Sequence, residues 1–253
     1  MKHIKYQAAI PSPTLSLFRD SILVWYRRYG RDLPWRHTRD PYKILVSEIL
    51  LHQTTVRSVL PVFEAFLARF PTLESCAAGP LSAIKEITDP LGYKVRGSWL
   101  YDIAVHVMQE CDGVFPDTLD GLLALPGVGR YTAGAVLSFA FEQDAPILDT
   151  NVNRLLGRFF GVDYKDHRAE IRHELWALAE AIVPPGQGAD FNQALMDMGA
   201  LVCTAKKPLC LTCPIYEGCA MGSQDEGTHA AEARVSYAPR AKSLLNSDAG
   251  SIG

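Results

Sequence analysis

Residues 125–136 read LPGVGRYTAGAV. The apolar run LDGLLAL (119–125) leads into this stretch and RYTAGAVLSFAF (130–141) leaves it, both at helical spacing, so PGVG (126–129) is expected to be a tight turn joining two helices. Gly127 and Gly129 would let the backbone take positive φ and come close to another surface. The first N–H groups of the second helix have no intrahelical partner. With the helix dipole they make an anion site around Gly127, Val128, Gly129 and Arg130. Two glycines in a turn are weak support alone, since a plain helix–helix connection uses them too, and the Lys-Ser/Thr pair of a nucleotide-binding loop is missing. The residues around the turn must decide what it touches.

The rest of the chain repeats the helical rhythm. Apolar residues recur at that spacing from Leu15 to Arg28, and LPWRHTRDPYK (33–43) reads as a proline-bearing connection. Helices are expected at 41–52, 56–69, 80–88, 95–110, 117–125, 130–142, 150–160, 166–182 and 189–202, separated by turns such as FPT, DPLG and VPPGQG. No run alternates as a strand would, and DAPILD (144–149) is too short to build a sheet. The predicted class is all-α.

With 253 residues and 48% apolar content, the chain can bury a substantial core as one large or two modest domains. A formal charge of -3 gives no chain-wide attraction to a polyanion, so any nucleic-acid surface has to be local. No apolar stretch is long enough for a membrane span, and MKHIKYQAAIPSPTLS lacks the features of a secretory signal, so a cytoplasmic location is expected. From residue 223 onward small and polar residues dominate, which predicts a loose tail with no further globular domain.

Cysteines are unevenly spread. Cys76 and Cys111 stand alone and suit buried packing, while Cys203, Cys210, Cys213 and Cys219 crowd into CTAKKPLCLTCPIYEGC. In a reducing compartment this C-x6-C-x2-C-x5-C spacing favours a metal centre over two disulfides, and four thiolates suit either zinc or an iron–sulfur cluster. Only Cys210 and Cys213 form the short knuckle that a zinc ribbon usually has twice. Lys206 and Lys207 add positive charge that could meet phosphate, although solvated lysines are commoner.

Two acids stand out. Asp149 precedes a helix in ILDTNVNR, where an N-cap is the ordinary role, but a carboxylate is also what a cationic, sugar-centred transition state requires. Glu48 interrupts the apolar helix PYKILVSEILLHQTTV, and residue statistics favour placing it on a solvated edge rather than in a pocket.

LPWR (33–36), SEILLHQT (47–54), LPGVGRYTAGAV, PILDTNVNR (146–154), FNQALMDMGALVC (191–203) and the four-cysteine loop stand together in one order. In this the chain resembles the helix-hairpin-helix DNA glycosylases with an iron–sulfur cluster, among them endonuclease III and the MutY adenine glycosylases, over nearly all its length to about Met221. The resemblance implies two helical domains with a DNA-binding cleft between them. A six-helix domain would span 33–143 and hold the hairpin; residues 1–32 with 144–222 would hold a [4Fe-4S] cluster on Cys203, Cys210, Cys213 and Cys219; 223–253 would be the tail. Asp149 matches the family's essential aspartate, and Glu48 the acid that lines the pocket in the MutY and thymine-mismatch branches. His52 and Gln53 fall where the family fills the gap left by a flipped nucleotide, and the hairpin's anion becomes a DNA phosphate.

Tyr131 speaks to the reaction. The endonuclease III branch has a lysine here, whose amine forms a Schiff base and allows strand cutting, and a phenol cannot do so. The resemblance thus implies a monofunctional enzyme in which water attacks the sugar, with Asp149 stabilising the cation or activating the water. Tyrosine at this position, ILLHQTTV and RFFG fit the branch that removes thymine or uracil opposite guanine; GYKVRGSWL and FNQALMDMGALVC look closer to MutY. The expected reaction is excision of thymine or uracil opposite guanine from double-stranded DNA by a monomer. Adenine excision opposite guanine or 8-oxoguanine is the alternative, and a non-catalytic iron–sulfur DNA-binding protein, or a zinc-bearing structural module, the rival of another class.

Overall fold

A computed structural model describes residues 10–223. The described residues are helical with no strand among them, as the periodicity predicts. The expected tail lies outside the described residues except for Ser223, which ends a short helix, Ala220–Ser223. The described chain forms two compact units, one of residues 32–143 and the other of 10–31 with 144–223.

The unit of residues 32–143 is built around α2 (Pro41–Leu51), counting Ser12–Tyr29 as α1. Asp40 caps α2 by accepting the Tyr42 N–H at 3.0 Å, and every residue from Ile44 to Leu51 is buried. Such a helix has no solvent face, which is why it carries almost no amphipathic pattern. α3 (Val56–Arg69) packs on it through Val59, Phe63 and Phe66. The short α4 (Leu73–Ala78) and α5 (Leu81–Thr88) both pack on α6 (Val95–Glu110). α7 (Leu119–Leu123) and α8 (Arg130–Phe139) form the hairpin, and α8 lies against α2. α4 falls in a stretch with no expected helix; its signal was present in Thr72 and Ser75, which form a capping box three residues apart.

In the other unit, α1 packs on α11 (Gly188–Asp197), while α9 (Thr150–Phe160) packs on α10 (Ala169–Ile182). Phe18 of α1 is the hub, with its ring 4.5 Å from Phe159 and 6.2 Å from Phe191, centroid to centroid. Burying each such ring contributes roughly 1.5–3 kcal/mol. α11 does not stop at Asp197. It continues as one π-helical stretch, Met198–Val202, in which Cys203 N–H reaches back to the Met198 carbonyl at 2.8 Å. That widened turn packs Gly199 on the start of α9 so closely that a Cβ there would lie 2.9 Å from Asn151 Cβ.

Candidate functional site

The hairpin turn has the geometry its sequence suggested at one glycine and not at the other. Gly127 has φ +73, a conformation that L side chains rarely adopt. Its Cα also faces the Trp99 ring, whose atoms would lie 2.6–2.7 Å from any Cβ. Gly129, expected to share the positive φ, instead caps α8 with φ -94 and ψ 175, and a Cβ there would meet nothing within 4 Å. Its lack of a side chain therefore answers no need inside the fold. Val128 is buried and closes the turn through its N–H to the Leu125 carbonyl at 3.2 Å, while Arg130 is exposed at the first position of α8.

Tyr131 follows in the first turn of α8 and is half-buried. Beside it, Thr132 Oγ1 lies 3.3 Å from His52 Nε2. His52 ends α2, and burial together with the nearby Arg96 charge holds its imidazole below the usual 6.5, so the ring is neutral at pH 7. Gln53 is exposed with φ +51, a strained conformation for a side chain with a Cβ, in the turn between α2 and α3. Fully buried Arg96 holds that turn by donating to the His52 carbonyl, and it also donates to the Tyr93 carbonyl at 3.1 Å. Glu48 is 2% exposed, so the acid lies inside the unit and not on the solvated edge that residue statistics favour.

In the other unit Asp149 caps α9. Its Oδ1 accepts the Val152 N–H at 2.6 Å and its Oδ2 accepts Asn151 Nδ2 at 3.0 Å. The carboxyl is 3% exposed, and burial raises its pKa from the usual 3.8 against the lowering effect of these bonds and of the Arg154 charge. Asn151 is itself held, its Oδ1 accepting from Arg154 Nη2 at 2.9 Å. Arg154 goes on to the Gly199 carbonyl at 2.8 Å and, through Nε, to the Cys203 carbonyl at 2.9 Å. A continuous chain of hydrogen bonds thus joins the acid to the cysteine loop.

Cys203, Cys210, Cys213 and Cys219 line one cavity of about 420 Å³, counted out to its open mouth, with Leu155, Phe159, Val202 and Ile215 in its walls. One turn beyond Arg154, Arg158 donates to Cys203 Sγ at 3.4 Å and to the Thr204 carbonyl at 2.8 Å. Burial pushes the Cys213 thiol up to about 12, and the three neighbouring cysteines add to the shift. Four thiolates brought together this way need a cationic centre to neutralise them. Soft thiolate donors with a single short knuckle, Cys210 and Cys213, suit iron–sulfur chemistry. The donor set fits the cluster.

Sequence reading missed Arg96, Trp99, Asn151, Arg154 and Arg158. The last two stand four residues apart on α9, spacing that puts two cations on one helix face, and that was the signal available. Arg96 and Trp99 carried none, because their role depends on partners distant in the chain, His52 for both and Gly127 for Trp99. Among the described residues no helix is long and apolar enough to cross a membrane.

Comparison with known proteins agrees with this geometry. The sequence profile of the HhH-GPD superfamily of base excision DNA repair proteins matches residues 46–181, and that of the iron-sulfur binding domain of endonuclease III matches residues 203–219. The chain is 40% identical over 207 residues to an adenine DNA glycosylase of Buchnera aphidicola subsp. Schizaphis graminum, covering 81% of this chain and 60% of that protein. It is also 40% identical over 202 residues to a thymine/uracil-DNA glycosylase of Pyrobaculum aerophilum, covering 78% of this chain and 88% of that one. The solved structure of a thermostable thymine-DNA glycosylase superimposes with a TM-score of 0.78 at 36% identity, covering 84% and 98% of the two chains. The chain spans about 60% of the length of the Buchnera adenine glycosylase it matches. Its cofactor is a [4Fe-4S] cluster.

Proposed function

The chain belongs to the HhH-GPD superfamily of base excision DNA repair proteins, and on that premise we propose that it is a monofunctional DNA glycosylase. It flips a mispaired base out of double-stranded DNA, thymine or uracil opposite guanine, and hydrolyses the N-glycosidic bond. The observation that carries this reading is Asp149, a buried carboxylate with both oxygens fixed by hydrogen bonds at the start of a helix. As the base departs with the electrons of the C–N bond, positive charge develops on the sugar. A fixed carboxylate stabilises that charge without first reorganising. Water then bonds to the sugar carbon, and its proton ends on the departed base; Asp149 accepts it in passing. Glu48, shielded from water, is the acid that exchanges a proton with the base. An abasic site remains.

Tyr131 makes the enzyme monofunctional, because its phenol has no amine with which to form a Schiff base. Gly127, Val128, Gly129 and Arg130 hold a phosphate at the N-terminus of α8, and His52 and Gln53 fill the vacated space. The open space at Gly129 supports close approach by the phosphate. Residues 33–143 serve as the hairpin domain, and 1–32 with 144–222 as the cluster domain. Cys203, Cys210, Cys213 and Cys219 are the ligands. When bound, the cluster cross-links this loop and can exchange single electrons. The protein acts as a cytoplasmic monomer.

Adenine opposite guanine or 8-oxoguanine is the second reading, favoured by the equal identity to the Buchnera adenine glycosylase. Duplexes containing T:G, U:G, A:G and A:8-oxoguanine, scored for strand breaks with and without alkali, test both. Breaks at T:G and U:G only after alkali are expected. Breaks confined to the adenine duplexes select the second reading, and binding without any excision leaves a non-catalytic DNA-binding protein.

A further inference from the structure

Three stretches far apart in sequence meet at Trp99. Its indole lies across the hairpin backbone, with Cγ and Cδ2 2.6 Å from the point where a Gly127 Cβ would stand. The same ring makes edge contacts with His52, at 5.8 Å and 81° between ring planes, and with Tyr93, at 5.7 Å and 73°. Arg96, one turn earlier on α6, donates to the carbonyls of both His52 and Tyr93 and stacks over the Tyr93 ring at 5.4 Å. The circuit closes through His52, whose ring reaches Thr132 on the first turn of α8. In such a closed circuit neither the hairpin nor the His52–Gln53 turn moves without displacing the indole. Trp99 is only half-buried, so filling the core does not by itself account for its place.

We infer that Trp99 is a positioning residue that fixes the spacing between the hairpin and the His52–Gln53 turn. The inference rests on reading those two parts as the ones that meet DNA. Unstacking a nucleotide works against its neighbours, so a wedge helps only when its distance from the anchored phosphate is held to within about 0.5 Å. A loose connection would let the hairpin keep its phosphate while the turn no longer arrives where the base must leave. Loss of Trp99 therefore separates binding from flipping.

The test uses the full chain with its cluster and a mismatched duplex carrying a fluorescent base analogue next to the mismatch, which brightens on unstacking. Trp99→Ala is expected to bind this duplex within about threefold of the wild-type affinity, and to lose at least about tenfold in both unstacking amplitude and single-turnover excision. Trp99→Phe, which keeps a ring over Gly127, restores most of the loss. If Trp99→Ala does not fold, Trp99→Leu keeps the apolar bulk and should give the same split. Wild-type unstacking in the folded Ala or Leu variant overturns the inference. So does a joint fall in affinity, melting temperature and unstacking that Phe does not rescue, since this marks packing alone. A wild-type protein that unstacks the base yet excises nothing refutes the glycosylase reading and leaves this one standing; one that unstacks no mismatch refutes both.

Discussion

Arg154 Nε donates to the backbone carbonyl of Cys203 at 2.9 Å, and through this bond the helix that begins at Asp149 is tied to the first cysteine of the cluster loop. The same guanidinium holds Asn151 Oδ1 and the Gly199 carbonyl, and Asn151 holds Asp149. One side chain therefore serves both Asp149, the proposed reactive acid, and the cysteine loop.

Replacing Arg154 with Met removes the donor from Asn151 Oδ1 and the Gly199 carbonyl in a buried place, while the Cys203 carbonyl keeps only the longer bond from Arg158 at 3.5 Å. At about 1–3 kcal/mol for each unsatisfied group, partly relieved by water, a net loss of about 2–4 kcal/mol is expected. Denaturant melts would show it together with reduced iron per chain. An Arg154→Met protein with wild-type stability and iron content would mean that the chain of hydrogen bonds carries no load.

Asp149 has its pKa raised above 3.8 by burial, and the Asn151 bond works in the opposite direction. The proposed mechanism needs the ionised carboxylate, so the excision rate should fall on the acid side at a pH above the ordinary aspartate range. Asn151→Ala removes a lowering influence and should move that limb further up. For stability the sign is reversed. A carboxyl with a raised folded-state pKa is most favourable below its unfolded pKa and costs stability as pH rises through the folded one. Single-turnover rates against pH for the two proteins would expose an unmoved limb, which contradicts this assignment.

The two hairpin glycines should part company. Gly127→Ala meets both a positive φ and the Trp99 ring, and is expected to cost about 1–3 kcal/mol of stability. Gly129→Ala has ordinary φ and open space, so the fold should be unaffected while DNA affinity drops and its salt dependence weakens. Equal affinity of Gly129→Ala and wild type across several salt concentrations would make PGVG a purely structural turn.

Cys213→Ser removes one proposed ligand and should yield protein with little iron and a lost absorbance band near roughly 400 nm. Cys76, buried and donating its thiol to the Leu100 carbonyl at 3.8 Å, lies in the unit of residues 32–143, and Cys76→Ala should keep the full iron content. Zinc in the purified protein in place of iron would refute the assignment of the loop.

Much of the architecture could be read from the sequence because helices announce themselves locally. Apolar spacing and proline or glycine breaks placed α1, α3 and α6 within a few residues of their observed ends. The long helix expected at 117–125 contracts to Leu119–Leu123, since Thr118 caps it and the chain turns at Ala124. The π-helical stretch before Cys203 was hidden, and so was the close approach of Gly199 to Asn151 that accompanies it, which joins positions distant in the chain. Asp149 could be read twice over, as a cap and as an acid, and its contacts suit both. Glu48 was misjudged by residue statistics alone: the helix around it is buried on every side, and that is a tertiary fact. Trp99 and Arg96 stayed silent for the same reason.

Asp149 is proposed to carry hydrolysis of a base from DNA without strand cutting. Single-turnover excision from a T:G duplex, followed with and without alkali for wild type and Asp149→Asn, tests it most directly. The asparagine keeps an oxygen for the Val152 N–H but not the charge, so it should fold and bind the duplex as before. Its rate should fall by about a thousandfold or more, and wild-type strand breaks should appear only after alkali. Breaks without alkali, or a wild-type rate in Asp149→Asn, would exclude monofunctional hydrolysis carried by Asp149.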